Sequence, residues 1–419
     1  MEERIILRVC VDLIGLKESP PPKDRADECC IYRVPNSLRV SNPEAYSPQL
    51  ISIGPFHHDS ERPEAMKTLK ERYQKRFLET NKMDEKKIMD FVRRIQKEEE
   101  SVRRCYSESI DYFYPRSFVE VIVRDAVFII EFFKDSYAAR FPKNIDTRMR
   151  FCIGEDLMLL ENQLPFSILD FIYSEFYHPS QDENKTPLLD LATRHFGNYY
   201  TLAQRAPESI CTTDKAQHFT DLLMNLMLEG KLERENRSDP IIKLKYNAAM
   251  LRKAGVKFQK TEDKCLFNVR FEKGVLKIPI LKVDDSLEHL VRNVIAWEQC
   301  SKPDEAYISN YFKFMDHLID KAEDVDLLIE EGIIMNWLGD DAAVSKLMNN
   351  LSQRSETASF YSDICQDLNE YSENPWNSRK ATLKLVYFSN LWRGTGTLAA
   401  AFLLILTLLQ TITSLKSAF

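Results

Sequence analysis

Apolar residues recur every three or four positions along much of the chain, the spacing of a single buried helix face. Met66, Leu69, Tyr73 and Phe77 follow it from Glu64 to Thr80, which predicts an amphipathic helix there. From Asp84 to Tyr106 the pattern continues with Ile88, Phe91, Val92, Ile95 and Val102. The opposite face of that stretch offers three i,i+4 ion pairs, Asp90 with Arg94, Glu99 with Arg103 and Glu100 with Arg104. Further helix starts are expected at Thr186-Pro187, Asp239-Pro240 and Asn374-Pro375, where a capping side chain precedes a proline suited to the first turn. Asp285 with Glu288 reads as a capping box ahead of Leu287, Leu290, Val291, Val294 and Ile295, which makes Asp284 and Asp285 caps rather than metal ligands. Gly230, Gly255 and Gly332 fall where helices should stop.

Strand patterning is confined to one place. Cys265, Phe267, Val269 and Phe271 alternate, Glu272-Lys273-Gly274 turns, and Leu276, Ile278 and Ile280 alternate again, which predicts a β-hairpin. Polar tracts at Asp182–Thr186 and Asn349–Ser359 read as surface loops. The fold class that follows is mostly α, a multi-helix globular body with a small β-hairpin.

A different pattern closes the chain. From Gly394 to Leu415 there is no charged residue, and Leu398, Phe402, Leu403, Leu404, Ile405, Leu406, Leu408, Leu409 and Ile412 crowd the segment. Its length of roughly 33 Å as a helix matches a hydrocarbon core of about 30 Å, so residues 391–415 are expected to form a transmembrane helix in contact with membrane lipid. Arg379, Lys380, Lys384 and Arg393 precede it, only Lys416 follows, and no acidic residue occurs after Glu373. This bias places the N-terminal part in the cytosol. The opening Met1-Glu2-Glu3-Arg4 is no secretory signal, so a tail-anchored, single-pass membrane protein is expected. Its organisation reads as an N-terminal segment 1–28, a globular body 29–390 that can divide into two packed lobes, the span 391–415 and a short tail 416–419.

Composition narrows the function classes. The 419 residues carry 57 basic and 64 acidic side chains, a formal charge of -7, so no nucleic-acid partner is expected. Only 11 glycines, against a usual ~7%, leave little room for phosphate-cradling loops. Nine cysteines without a C-x-x-C pair suit free thiols in a reducing compartment.

Two strings hold candidate chemistry. SIGPFHHD at 52–59 contains His57 and His58. Adjacent side chains diverge on any regular backbone, so the pair does not chelate one metal, and Gly54-Pro55 points to a turn. In DLMLLENQLPF at 156–166, Glu161, Asn162 and Gln163 interrupt an apolar run and Pro165 breaks the helix. Buried there, they must find hydrogen bonds, either by satisfying freed backbone groups at a helix-break-helix corner or by lining a ligand or partner pocket. Zincin, nucleophile-elbow, P-loop, dinucleotide and zinc-ligand motifs are missing from the sequence, so no catalytic residue, metal or cofactor is assigned.

Several strings together resemble one plant family of unknown function, domain-of-unknown-function family 247, also called uncharacterised protein family 0481. They are IYRVPNSLR at 31–39, AYSPQLISIGPFHH at 45–58, DLMLLENQLPF at 156–166, LRKAGVKF at 251–258, GVLKIPILKVDDS at 274–286, RNVIAWEQC at 292–300, AEDVDLLIEEGIIMNWLG at 322–339 and WNSRKATLKLVYFSNLW at 376–392. The chain departs from the family pattern at Phe56, at Lys277 and at RDAVFIIEFF, 124–133, where an Asp-Gly turn is usual. The resemblance implies no assigned activity. Links of some members to grass-pollen self-incompatibility imply recognition or signalling. The expectation is therefore a non-catalytic membrane component with an unidentified protein partner. The alternative is a membrane-tethered hydrolase or transferase with a site near His57 and His58.

Overall fold

The computed structural model describes residues 29–58, 63–110, 112–177, 186–199, 216–233, 242–353, 360–382 and 391–417. The segment 1–28, Asp59, the Asp239-Pro240 helix start and most of both expected polar loops lie outside them. Sixteen α-helices and five short strands make up the described part.

The first half is built around one helix that is apolar on nearly every face. After α1 (Asn36–Arg39) and a 3₁₀ turn (Pro43–Tyr46) come α2 (Glu64–Thr80), α3 (Glu85–Arg104) and α4 (Pro115–Ala138). Phe128, Ile129, Ile130, Phe132 and Phe133 of α4 have no exposed surface, and a helix without a polar stripe belongs in an interior. α2, α3, α6 (Phe166–Phe176) and α7 (Leu188–Tyr199) pack on it. The strings of α2 and α3 fold as their periodicity dictates, with Met66, Leu69, Tyr73 and Phe77 buried on α2 and Asp84 capping Lys87 N on α3. Two of the three expected ion pairs form, Glu99 with Arg103 at 2.8 Å and Glu100 with Arg104 at 2.6 Å. The third does not: Arg94 reaches across to Glu175, and Asp90 pairs with Arg93 instead. RDAVFIIEFF lies inside α4, with no turn in it.

In the second half α5 (Thr147–Met158) and α8 (Phe219–Leu228) pack on α10 (Leu287–Ser301), which also carries α11 (Tyr307–Leu318) and α13 (Asp341–Leu351). α9 (Ala248–Lys253) and α12 (Ala322–Glu330) pack together, and α14 (Ser362–Glu373) lies beside α15 (Pro375–Thr382). Gly230, Gly255 and Gly332 have positive φ after α8, α9 and α12, the left-handed stop their positions predict. Asn374 caps Trp376 N at 3.0 Å as expected.

Three local expectations need correction. The hairpin is shorter than its alternation, because only β2 (Arg270–Glu272) and β3 (Val275–Pro279) pair antiparallel, with Phe271 opposite Leu276. β1 (Lys257–Thr261) adds to β3 in parallel, while β4 (Leu281–Val283) pairs in parallel with β5 (Ile334–Asn336). The capping box is replaced by a tight turn in which Asp284 accepts from Ser286 N and Oγ, while Glu288 binds Asn42 and Arg292. α13 runs to Leu351, so Asn349–Leu351 are helix rather than loop.

One buried apolar cluster extends from Cys30 to Leu368 through both halves. The final helix, α16 (Leu391–Ser417), has 27 residues, and within it Thr395–Ser414 are long and apolar enough to cross a membrane. None of that window is buried.

Candidate functional site

Glu161, Asn162 and Gln163 sit at the break between α5 and α6, where Leu159 leaves helical geometry and Pro165 opens the next helix. The chain from Cys29 to His58 crosses this corner, and their polar side chains close on each other's backbones.

Glu161 is 1% exposed. Its Oε1 accepts from Val34 N at 2.7 Å and from Arg39, and its Oε2 accepts from Arg33 Nη1 at 3.0 Å. His57 Nε2 stands 3.2 Å from Oε2. Burial alone would raise this carboxyl. The His57 imidazole, the Val34 amide and the Arg39 and Arg33 guanidiniums outweigh burial and bring it down to about 2. The corner therefore carries a carboxylate at neutral pH, with both oxygens occupied.

Asn162 and Gln163 have no exposed surface. Asn162 accepts from Ile53 N at 2.6 Å and donates to Ile51 O and Asp156 O at 3.0 and 2.8 Å. Gln163 donates to Leu157 O and Leu159 O, and accepts from Phe219 N at 3.0 Å at the start of α8. A broken helix leaves such carbonyls orphaned, and here the amides that follow the break satisfy them. Asn162 and Gln163 thus bond backbone groups on both sides of the break.

The structure brings His57 to Glu161 but separates His58, whose ring meets Phe113 edge-on at 5.0 Å. His58 N closes the expected turn on Pro55 O. Gly54 (φ 69°) cannot be replaced easily, since a Cβ there would stand 2.6 Å from Gln163 O. Phe56 lies under Arg33 at 4.1 Å and edge-on to Tyr106 at 5.2 Å.

Sequence reasoning missed several members. Asp156 accepts from three successive amides, Gln49, Leu50 and Ile51 N, each at 2.7 Å. Asn293 accepts from Leu160 N and donates to Ala45 O and His289 O. Asp125 takes Gly54 N at 2.9 Å and Lys70 Nζ at 2.6 Å, and the same Lys70 reaches Ser52 O. The available signal was a polar residue inside an apolar run, as for Asp125 in VIVRDAVFII or Asp156 before LMLL. Arg33 and Arg39 gave none, because isolated arginines in a loop look like ordinary surface. Among the described residues no three His, Cys, Asp or Glu side chains group closely enough to hold a metal.

The strings at 31–39, 45–58 and 156–166 thus converge as an internal clasp on an α-rich body, and one helix among the described residues is long and apolar enough to cross a membrane. The chain belongs to the family described as plant protein of unknown function, whose model matches residues 31–406. Two Arabidopsis thaliana proteins are similar along most of their length. UPF0481 protein At3g47200 is 26% identical over 430 residues, covering 93% of this chain and 87% of its own. Putative UPF0481 protein At3g02645 is 24% identical over 490 residues, covering 93% and 90%. No solved structure matches the chain.

Proposed function

We propose that this protein is a single-pass membrane protein with a cytosolic body that acts by binding other proteins rather than by catalysis. The observation that carries the reading is α16. Leu404, Phe402 and Leu403 are more than 60% exposed, and such a continuous apolar surface is unstable in water. A core helix would be covered, and α16 is not. The cationic flank of Arg379, Lys380, Lys384 and Arg393 supports a cytosolic body.

The interaction role draws support from the clasp, whose polar groups are turned inward, and from β5. Met335 on β5 and Trp337, the residue just after that strand, are 45% and 65% exposed, with Lys282 Nζ 4.8 Å from the Trp337 ring. Exposed aromatic and Met side chains are characteristic of partner surfaces. Alkaline extraction tests the anchor: the full chain is expected to stay with the membrane. Proximity labelling with the full chain tests the role. Trp337→Ala is expected to thin the set of labelled membrane-associated proteins, and an unchanged set would remove β5 from the account.

A further inference from the structure

The exposed residues of the neighbouring helices α9 and α15 have the chemistry of a membrane-surface contact. The two helices pack against each other. α9 leaves Met250 (52%) and Lys253 exposed, and α15 leaves Trp376 (75%), Arg379 and Lys380 exposed. The Arg379 guanidinium stands 5.8 Å from the Trp376 ring. Neighbouring acids are already matched, Glu373 by Lys245 at 2.8 Å and Glu330 and Glu331 by Arg252 at 3.3 and 3.6 Å. Lys253, Arg379 and Lys380 are left without an acidic partner among the described residues. The result is a cationic surface with one large aromatic and one thioether side chain, a combination that suits anionic headgroups above an apolar layer.

Chain length brings this face to the bilayer. Eight residues separate Thr382 at the end of α15 from Leu391 at the start of α16, and fully extended they span at most about 30 Å. A helix tethered so closely to a membrane span has to lie near that membrane's surface.

We propose that the α9–α15 face rests on the anionic phospholipid headgroups of the membrane into which α16 inserts, fixing the orientation of the body above it. The proposal rests on the anchor reading. The ligand is a bilayer surface bearing anionic headgroups, and each basic side chain at such a surface adds roughly fivefold to association.

The test reconstitutes the full chain into vesicles of phosphatidylcholine, alone or with phosphatidylserine at about a third of the lipid, and reads lysine acetylation by mass spectrometry. Lys253 and Lys380 are expected to react about fivefold more slowly in the anionic vesicles, while exposed Lys97 on α3 reacts equally in both. Salt at about 1 M, where screening shortens to about 3 Å, should remove the difference. So should Trp376→Ser combined with Arg379→Glu, two exposed changes that leave Lys97 and the melting temperature unmoved. Equal reactivity of Lys253 and Lys380 in both vesicles, with the chain still resisting alkaline extraction, would overturn the proposal and leave the anchor standing. Release of the chain from both vesicles by alkali would instead overturn the anchor, and this proposal with it.

Discussion

Around Glu161 the molecule closes on itself, whereas along α16 it stays open. At the corner, carboxylate, amides, guanidiniums and backbone groups find partners within the chain. Along α16, Leu398, Phe402, Leu403, Leu404, Ile405, Leu406, Leu408, Leu409 and Ile412 are 41% to 66% exposed and cover nothing. The contrast teaches that two kinds of sequence signal have opposite meanings. Polar interruptions in apolar runs mark places where the body holds itself together, and the uninterrupted run marks a helix whose apolar surface the body leaves uncovered. Body stability and membrane attachment should therefore fail independently.

The largest expected effect separates them. Leu403→Arg with Leu406→Arg places two charges in the span, at about 2.5–3.5 kcal/mol each, and is expected to release the protein from membranes in an alkaline wash while the body's thermal unfolding stays unchanged. Loss of body stability together with attachment would break the comparison.

Glu161→Gln is expected to act in the opposite sense. Removing the charge leaves Arg39 partly buried without its counter-ion and Arg33 with only the exposed Glu108, a cost of roughly 3–5 kcal/mol, readable by denaturant unfolding of the detergent-solubilised chain with membrane attachment unaltered. Because the folded carboxyl is held at about 2, below its ordinary value of 4.5, its stabilisation is present above pH 4.5 and lost as pH falls toward 2. The deficit of the variant should narrow across that window.

A second buried carboxylate sharpens the point. Glu298 in RNVIAWEQC caps α11 through Ile308 N, Ser309 N and Ser309 Oγ at 2.7, 2.9 and 2.6 Å. Among the described residues no arginine or lysine offsets its burial, and burial pushes it up to about 7 against the pull of those donors. The sign reverses: a raised acid favours the folded state below pH 4.5, and that contribution is lost as pH rises through 7. Glu298→Gln should gain stability relative to the parent as pH increases from 5 to 8, whereas Glu161→Gln should show no such gain.

Smaller effects test the backbone of the corner. Gly54→Ala combines a left-handed conformation with a Cβ 2.6 Å from Gln163 O, and a loss of about 2–4 kcal/mol is expected. Ala139, at φ 51° after α4, has the conformation without that clash. Ala139→Gly should raise stability by about 0.5–1 kcal/mol, and calorimetry resolves a shift of that size.

Much of this was legible in the sequence. Local periodicity and capping gave α2, α3, the glycine stops and the apolar tail, because those features depend on residues within a few positions of each other. The candidate corner was legible as a problem, three polar residues that had to find partners, while the partners were not. Val34, Ile53 and Phe219 contribute backbone amides, which carry no side-chain signature, and they lie up to 127 residues from the corner. β1 and β5 escaped notice for the same reason, since parallel pairing leaves no hairpin turn to read. The supposed capping box failed because Glu288 had better partners in Asn42, supplied by tertiary packing, and in Arg292, one turn further along the same helix.

Protease treatment of sealed microsomes containing the full chain tests the central claim, a cytosolic body held by one C-terminal helix, most directly. The account expects the body to be digested from outside and a short fragment containing Thr395–Ser414 to survive in the membrane. An intact protein protected until detergent opens the vesicles, or complete digestion with no membrane-held fragment, would contradict it.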